Sequence, residues 1–380
     1  MTLYFLFRAQ LNSVIVVSAV QVKNQIRPLT SLRFFAALGV LLTHLHLLKA
    51  GGALGVQFFF VLSGFILAHQ YRHLFVAGVE RSAMLYFICL RLGRLYPVYF
   101  VTFLLSSTMW CGSPWPLTTF ETARSLLMIQ SYWPTGERVF AVNGPSWSVS
   151  DEMFFYLLFP FIAYGLIWLG VGRSLRLAVL AGTTIFLPMI FIRLWTMPTF
   201  GLGWWLLYIS PFIRIFDFVF GVIVGLAFER FCKLTRPWDR RKSTAFEIAV
   251  VFLFAGVVLK GVPAPEFANG DFWYIPVMAL VILCFASSTG VLASVLNSSL
   301  LVYLGEISYS IYMTHVIVIE WASRFLSAQF FGSSDNVSII MAQFGIIVFV
   351  LCLSDVLFRW VETPARNYAR QYARERFGIY

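Results

Sequence analysis

The chain is 380 residues long, 59% hydrophobic and only 12% charged, with a mean hydropathy of +0.80. An ordinary soluble domain carries about 25% charged residues, so that class is excluded and a polytopic membrane protein is indicated. The net charge of +11 would suggest nucleic acid as the partner of a soluble chain. In a membrane protein the positive-inside distribution of Lys and Arg accounts for it, and no nucleic-acid partner is expected.

Met1 to Val22 is apolar in two short pieces broken by Arg8, Gln10 and Asn12. No small-residue cleavage site stands clearly ahead of Lys23, so residues 1–26 read as a frayed or interfacial extension. Hydropathy then predicts ten spans, near 32–50, 54–71, 84–109, 152–170, 176–196, 204–228, 245–262, 273–289, 301–325 and 338–360. Each approaches the roughly twenty residues that a hydrocarbon core demands. Long alternating strand patterns are absent, which argues against a barrel. The expected fold class is all-α, a polytopic integral membrane protein with about ten transmembrane helices. Basic residues choose the orientation. With the N-terminus in the cytoplasm, Arg27, Arg33, Arg72, Arg81, Arg91, Arg94, the cluster Arg230 to Lys242 and the tail Arg366 to Arg376 fall inside. The other side keeps Lys49, Arg124, Arg138, Arg193, Lys260 and Arg324. Both termini are therefore expected in the cytoplasm.

The first span carries Arg33 and His44, eleven residues apart in an otherwise apolar run. That is close to three helical turns, so both project from one face about 16 Å apart along the axis. Ionisable groups in such a place are costly and suggest function; the plainer reading is a snorkelling arginine and a histidine satisfied by a neighbour. His46, two residues on, faces away from His44 and is the weaker candidate. At the start of the third span, Arg91 and Arg94 are three apart and share a face. Two guanidinium forks at a membrane boundary suit a polyphosphate, although a topological anchor would look the same.

The longest non-cytoplasmic segment, about 110–151, carries Trp110, Trp115, Trp133 and Trp147, residues that favour the membrane interface. Thr118 to Gln130 reads as a short surface helix, and a segment this long suggests a binding or lid role. It ends in Asn143, Ser146, Trp147, Ser148, Asp151 and Glu152. Ser148 with Asp151 makes a slightly irregular capping box. Glu152 starts an apolar run and is harder to explain by capping; a carboxylate there could orient an imidazole or accept a proton. Arg214 and Asp217, three apart in the sixth span, read as a structural intramembrane pair, and Gly221/Gly225 as a weak helix-packing signal. In the ninth span Ser308, Tyr312 and His315 share a stripe, with Glu306 available to a basic residue. Glu362 and Arg366 read as a local ion pair. The five cysteines (Cys89, Cys111, Cys232, Cys284 and Cys352) have no paired spacing, so neither a metal site nor a disulfide framework is expected. A phosphate-binding loop of the ATPase type and a G-x-S-x-G elbow are both absent.

Taken together, these segments resemble the membrane-bound acyltransferase-3 family over about residues 27–368. The family's signatures are an arginine about ten residues before a histidine, FFFVLSGF in the second span, an arginine pair before Tyr-Pro, a WSLS-x-E stretch and a late ISYS-x-Y-xx-H run. Here they stand as Arg33/His44, Phe58–Phe65, Arg91/Arg94, Trp147–Glu152 and Ile307–His315. Asp151 departs from the pattern, since many relatives have an apolar residue there, and Asp217 stands where glutamate is common. The chain then divides into an extension (1–26), the acyltransferase domain (27–368) and a basic cytoplasmic tail (369–380). The resemblance implies a multi-pass protein of the bacterial cytoplasmic membrane that moves an acyl group, usually acetyl, from coenzyme A to carbohydrate hydroxyls such as those of surface polysaccharides or their lipid-linked precursors. Acyl-CoA is then a substrate and no bound cofactor is expected; the partners are acyl-CoA, a carbohydrate acceptor and the bilayer. The soluble esterase-like domain that some members carry is not expected here.

With that chemistry, Arg91 and Arg94 are expected to meet the donor's phosphates, with Arg33 assisting, and His44 to lie at the end of the pantetheine arm. His44 acts either as general base on the acceptor hydroxyl or as an acylated intermediate, the first being favoured, with Glu152 orienting it. His315 or Tyr312 could donate to the oxyanion. Asn143, Trp147, Ser148 and Asp151 are expected to support the site or the acceptor. The competing readings are a transporter, which should show inverted repeats and broken-helix pairs, and a non-catalytic scaffold, which leaves the Arg33/His44 stripe unexplained.

Overall fold

The computed structural model describes residues 26–49, 51–108, 117–195, 202–235, 238–259, 273–326 and 336–378. Of the expected extension, 1–26, all but Ile26 lies outside the described residues, as do Trp110, Cys111 and Trp115. The elements are α1 (Arg27–His44), α2 (Gly51–Tyr71), α3 (Arg81–Ser107), α4 (Thr119–Leu126), α5 (Ser146–Trp168), α6 (Leu175–Trp195), α7 (Pro211–Thr235), α8 (Arg240–Leu259), α9 (Tyr274–Ser287), α10 (Val291–Leu296), α11 (Ser299–Glu306), α12 (Ser308–Leu326), α13 (Asn336–Leu357) and α14 (Thr363–Phe377). Among the described residues there is no strand. Eight of the ten predicted spans fall on a single helix, whereas 204–228 crosses a π-helical turn, Trp205–Ile209, ahead of α7, and 301–325 is divided between α11 and α12. Seven helices are long and apolar enough to cross a membrane, eight when α11 and α12, bent by 60° at Ile307, count as one. α1 and the fourteen-residue α9 fall short of that measure.

Lipid offers helices no hydrophobic reason to associate, so close contact depends on small residues and polar links. Four glycines set the walls of the site. A Cβ on Gly64 would sit 2.0 Å from the Phe218 carbonyl oxygen, and one on Gly221 would sit 2.0 Å from that of Val61. The backbones of α2 and α7 therefore touch, as the Gly221/Gly225 spacing suggested. A Cβ on Gly305 would lie 1.8 Å from the Thr30 carbonyl oxygen, which presses α11 onto α1. Gly93 faces the Ala369 methyl at 2.1 Å from the same construction, so α14 lies directly on α3. Interdigitated aromatics fill the space between, with Phe155 stacked on Phe218 at 5.2 Å and Phe60 edge-on to Phe155 at 5.1 Å.

The described part of the long segment expected outside, 117–151, is fastened down. The expected surface helix is α4, started by a complete capping box between Thr118 and Glu121. Tyr99 donates to the Ser125 carbonyl (2.6 Å), and Gln130 to the Ser146 carbonyl (3.0 Å). Trp205 donates to the Ser131 carbonyl (2.9 Å), and Asn143 to that of Met313 (3.0 Å). These buried bonds make the segment a fixed plug, because each partner left unpaired would cost its full desolvation penalty.

Two local expectations are corrected. The Ser148–Asp151 capping box does not form: α5 begins at Ser146, so both residues lie inside it, and Ser148 Oγ donates to the Pro145 carbonyl (3.0 Å). Glu362 and Arg366 do not close a local ion pair. A π-helical turn, Phe358–Glu362, joins α13 to α14 and aims Glu362 at Ser310, whose hydroxyl donates to it at 3.3 Å. The Arg214–Asp217 pair is present at 3.1 Å and buried. The sequence reading overlooked Glu247: its buried carboxylate accepts from Ser288 Oγ (2.6 Å) and from the amides of Leu292 (2.8 Å) and Ala293 (3.2 Å), capping α10 from α8.

Candidate active site

α1, α2, α3, α5, α12 and α14 surround a cavity of about 1250 Å³. One end is basic. Arg33 enters it from α1, Arg91 and Arg94 from α3, and Arg366 from α14. The opposite end is closed by Phe59, Ser148 and Tyr312. The one-turn periodicity of α3 sets both of its arginines toward the cavity, as the spacing of three predicted.

The arginines are held differently. Arg91 is 6% exposed. Its Nη2 donates to the Tyr71 hydroxyl at 2.7 Å, and its guanidinium lies 4.8 Å from the centre of the Tyr71 ring. Its Nε has no partner among the described residues. Arg33 and Arg94 donate no hydrogen bond among the described residues; they sit in the fields of each other, Glu152 and Glu362. Forked donors without acceptors, facing a cavity, fit a multiply charged anion.

Glu152 points into the same cavity. It accepts from Ser63 Oγ (3.0 Å) and from the Tyr156 hydroxyl. Ser63 belongs to the FFFVLSGF stretch and is placed by Gly64, the glycine pressed on α7. Tyr156 lies one turn after Glu152 on the same face of α5. No hydrogen bond or ion pair joins Glu152 to His44, so the expected Glu152–His44 pairing is corrected. Its helix register sets Glu152 one turn deeper than Ser148, beside the arginines.

His44 instead meets His315. It is the last residue of α1 and is exposed, and its ring centroid lies 5.0 Å from that of His315. His315 is 1% exposed. Its Nδ1 lies 2.6 Å from the Tyr312 carbonyl oxygen. A carbonyl only accepts, so Nδ1 carries the proton and Nε2 of the neutral ring is left as an acceptor. That Nε2 has no partner among the described residues. That nitrogen would donate to an oxyanion only if the ring carried a second proton. Tyr312 closes the cavity with its hydroxyl 2.8 Å from Ser148 Oγ and 3.3 Å from the Pro145 carbonyl. Its ring lies 5.7 Å from His315 and 5.9 Å from Phe59. A thin wall of Tyr312 and Phe59 thus separates the histidine pair from the cavity.

Of the other expected residues, Ser148 lines the cavity, whereas Asn143, Trp147 and Asp151 do not. Asn143 latches the outer segment to α12, and Trp147 packs between Phe60 (6.4 Å) and Tyr208 (5.2 Å). Asp151 is fully buried near Arg214 and Asp217. Among the cavity residues not expected as site residues are Ser63, Tyr156, Tyr309 and Glu362. Ser63 was detectable as the polar residue of an apolar motif, and Tyr156 as the i+4 neighbour of Glu152.

Comparison with known proteins agrees with this architecture. Residues 28–359 match the acyltransferase domain of the acyltransferase-3 family. The chain is 28% identical over 339 residues to the acyltransferase MdmB of Streptomyces mycarofaciens, covering 79% of this chain and 81% of that protein. It is 29% identical over 286 residues to the exopolysaccharide production protein ExoZ of Rhizobium meliloti, covering 72% and 78%. It is 24% identical over 361 residues to the O-acetyltransferase OatA of Staphylococcus aureus, covering 89% of this chain but only 57% of that protein. No solved structure matches. The chain belongs to the acyltransferase-3 family, and the transporter and scaffold readings fall away.

Proposed function

We propose that this membrane acyltransferase moves an acyl group, most simply acetyl, from acyl-coenzyme A to a hydroxyl of a carbohydrate such as a surface polysaccharide or its lipid-linked precursor. One observation carries the reading: a single cavity has unpaired guanidinium groups at one end and a histidine pair just beyond the other. The positive-inside rule turns the basic end to the cytoplasm, where coenzyme A resides, and puts His44 on the outer side, where a surface glycan would arrive. ExoZ and OatA, by name, support a glycan acceptor and an acetyl group. The corresponding location is the bacterial cytoplasmic membrane, with both termini inside.

In this scheme Arg91 and Arg94 bind the donor's diphosphate and Arg33 neutralises it further. The pantetheine arm follows the cavity past Glu152 and reaches His44 once Tyr312 and Phe59 give way. His44 removes the acceptor's O–H proton. The oxygen bonds to the thioester carbonyl carbon, the C–S bond breaks, and the thiolate takes the proton back from the imidazolium. During the reaction the unpartnered Nε2 of His315 would accept from the His44 ring, a bond that the resting structure does not hold. Tyr312 can donate to the oxyanion only by releasing Ser148. Glu152 is a positioning residue, the countercharge that keeps Arg33 and Arg94 in the cavity.

The test is direct. Membranes carrying the chain are incubated with radiolabelled acetyl-coenzyme A, and glycans and glycolipids are extracted. Label should transfer with the wild type and fall to background with His44→Ala. Near-normal transfer by the variant rejects the scheme. Mass spectrometry of surface glycans from a deletion strain identifies the acceptor by the loss of one acyl mass.

A further inference from the structure

Beyond Arg366, the cavity mouth is lined by Arg370 and Arg374. The three recur every fourth residue on α14, so they form one stripe about 12 Å long. The family match ends at residue 359, and the arginines of the characteristic motifs lie elsewhere. α14 is nonetheless a rigid wall: the π-helical turn makes it continuous with α13, Ala369 is packed against Gly93, and Cys89 Sγ approaches the Ala369 carbonyl at 3.8 Å. The Arg370 and Arg374 side chains make no hydrogen bond or ion pair among the described residues, and Arg370 lies in the fields of Tyr71, Arg374, Tyr86 and Arg91. The neighbouring carboxylate, Glu375, is occupied by Gln371 Nε2 at 2.8 Å. Arg366, by contrast, is balanced by Glu362 and Glu306. The cavity therefore holds two sets of cations that close no ion pair among the described residues, a deep one on α1 and α3 that shares Glu152 and Glu362 and a shallow one on α14.

We infer that Arg370 and Arg374 form a second anion subsite that binds the ribose 3′-phosphate of the donor nucleotide. This rests on the reading of coenzyme A as donor. A coenzyme A molecule carries a diphosphate and a phosphate monoester, and the monoester bears about −1.5 to −2 charges at neutral pH. Two phosphate groups on one ligand call for two cationic sites, and the shallow set faces the end where the nucleotide must remain while the thioester goes deep. These residues then decide between coenzyme A and donors lacking the 3′-phosphate.

Binding can be measured without an acceptor. Full-length protein in detergent is titrated calorimetrically with coenzyme A and with 3′-dephospho-coenzyme A. Wild type should bind coenzyme A about tenfold tighter or more, the effect of one or two charge-assisted hydrogen bonds. The double variant Arg370→Gln/Arg374→Gln should lose most of that preference while binding dephospho-coenzyme A like wild type, which also shows that it is folded. Arg370→Lys/Arg374→Lys should keep much of the preference, and Arg91→Gln should weaken both ligands alike. Equal wild-type affinities, or equal losses for both ligands in the glutamine variant, overturn the subsite; an anionic lipid on α14 would give the first result. If wild type binds neither nucleotide, the donor reading itself fails and the subsite with it.

Discussion

Two clusters of charge are buried in this bundle, and they are built on opposite plans. On α7, one guanidinium meets one carboxylate: Arg214 bonds Asp217 at 3.1 Å, Arg214 Nε donates to the Tyr208 carbonyl (2.9 Å), and Asp217 also accepts from Gln57 (3.4 Å). Around the cavity, Arg33, Arg91, Arg94 and Arg366 share Glu152 and Glu362, and none of these six groups closes an ion pair. The first cluster is closed by that direct pair, with the buried Asp151 carboxylate lying in its field. The second has an excess of cations and space beside them. A charge in a membrane helix is therefore not evidence of a site by itself; the imbalance and the cavity are.

The comparison predicts different failures. The largest effect is expected in the completed cluster. Arg214→Ala leaves Asp217 buried and unpaired, so thermal stability should fall by about 3–5 kcal/mol, while replacing both partners by apolar residues should cost far less. Scanning calorimetry in detergent decides it; equal losses in the single and double variants would put Arg214 outside this account. At the histidine pair the sign reverses. His44→Ala should lower turnover by about 10²–10⁴, the usual worth of general-base catalysis, and leave the melting temperature where it was, since His44 is exposed. Arg94→Gln in the open cluster should raise the KM for the donor about tenfold or more with kcat nearly kept, as expected for one lost charge-assisted contact; a pure kcat loss would contradict phosphate binding.

The smallest effect concerns the outer plug. Burial raises the Glu121 carboxyl, but bonds from Thr118 and the charges of Arg138 and Arg124 more than reverse it and hold it below the usual carboxylate range. A carboxyl depressed by folding stabilises above its unfolded value and loses that contribution as pH falls through the folded value. The melting temperature should thus drop on acidification below about pH 4.5, less steeply in Glu121→Gln. That variant should itself cost about 1 kcal/mol at neutral pH, through the broken capping box.

Much of the chain could be read in advance. Runs of about twenty apolar residues announce helices whatever surrounds them, because an unpaired backbone in lipid has no alternative. The arginine spacing on α3, the Gly221/Gly225 contact and the Arg214–Asp217 pair are likewise local facts, readable from helical periodicity. The break at Ile307 was not readable, since α11 and α12 are equally apolar on both sides of it and the close fit of Gly305 to Thr30 is a long-range contact.

Pairing across helices was equally hidden. Glu152 and His44 looked like partners because both interrupt apolar runs, yet helix register delivers Glu152 to Ser63 and Tyr156 and gives His44 to His315. What the amino acids by themselves determined was the all-helical, membrane-spanning character of the chain and which residues are costly enough to matter. Only the tertiary structure decided which charges neutralise each other and which face a cavity, because periodicity specifies the face a side chain leaves from and packing alone specifies what it meets.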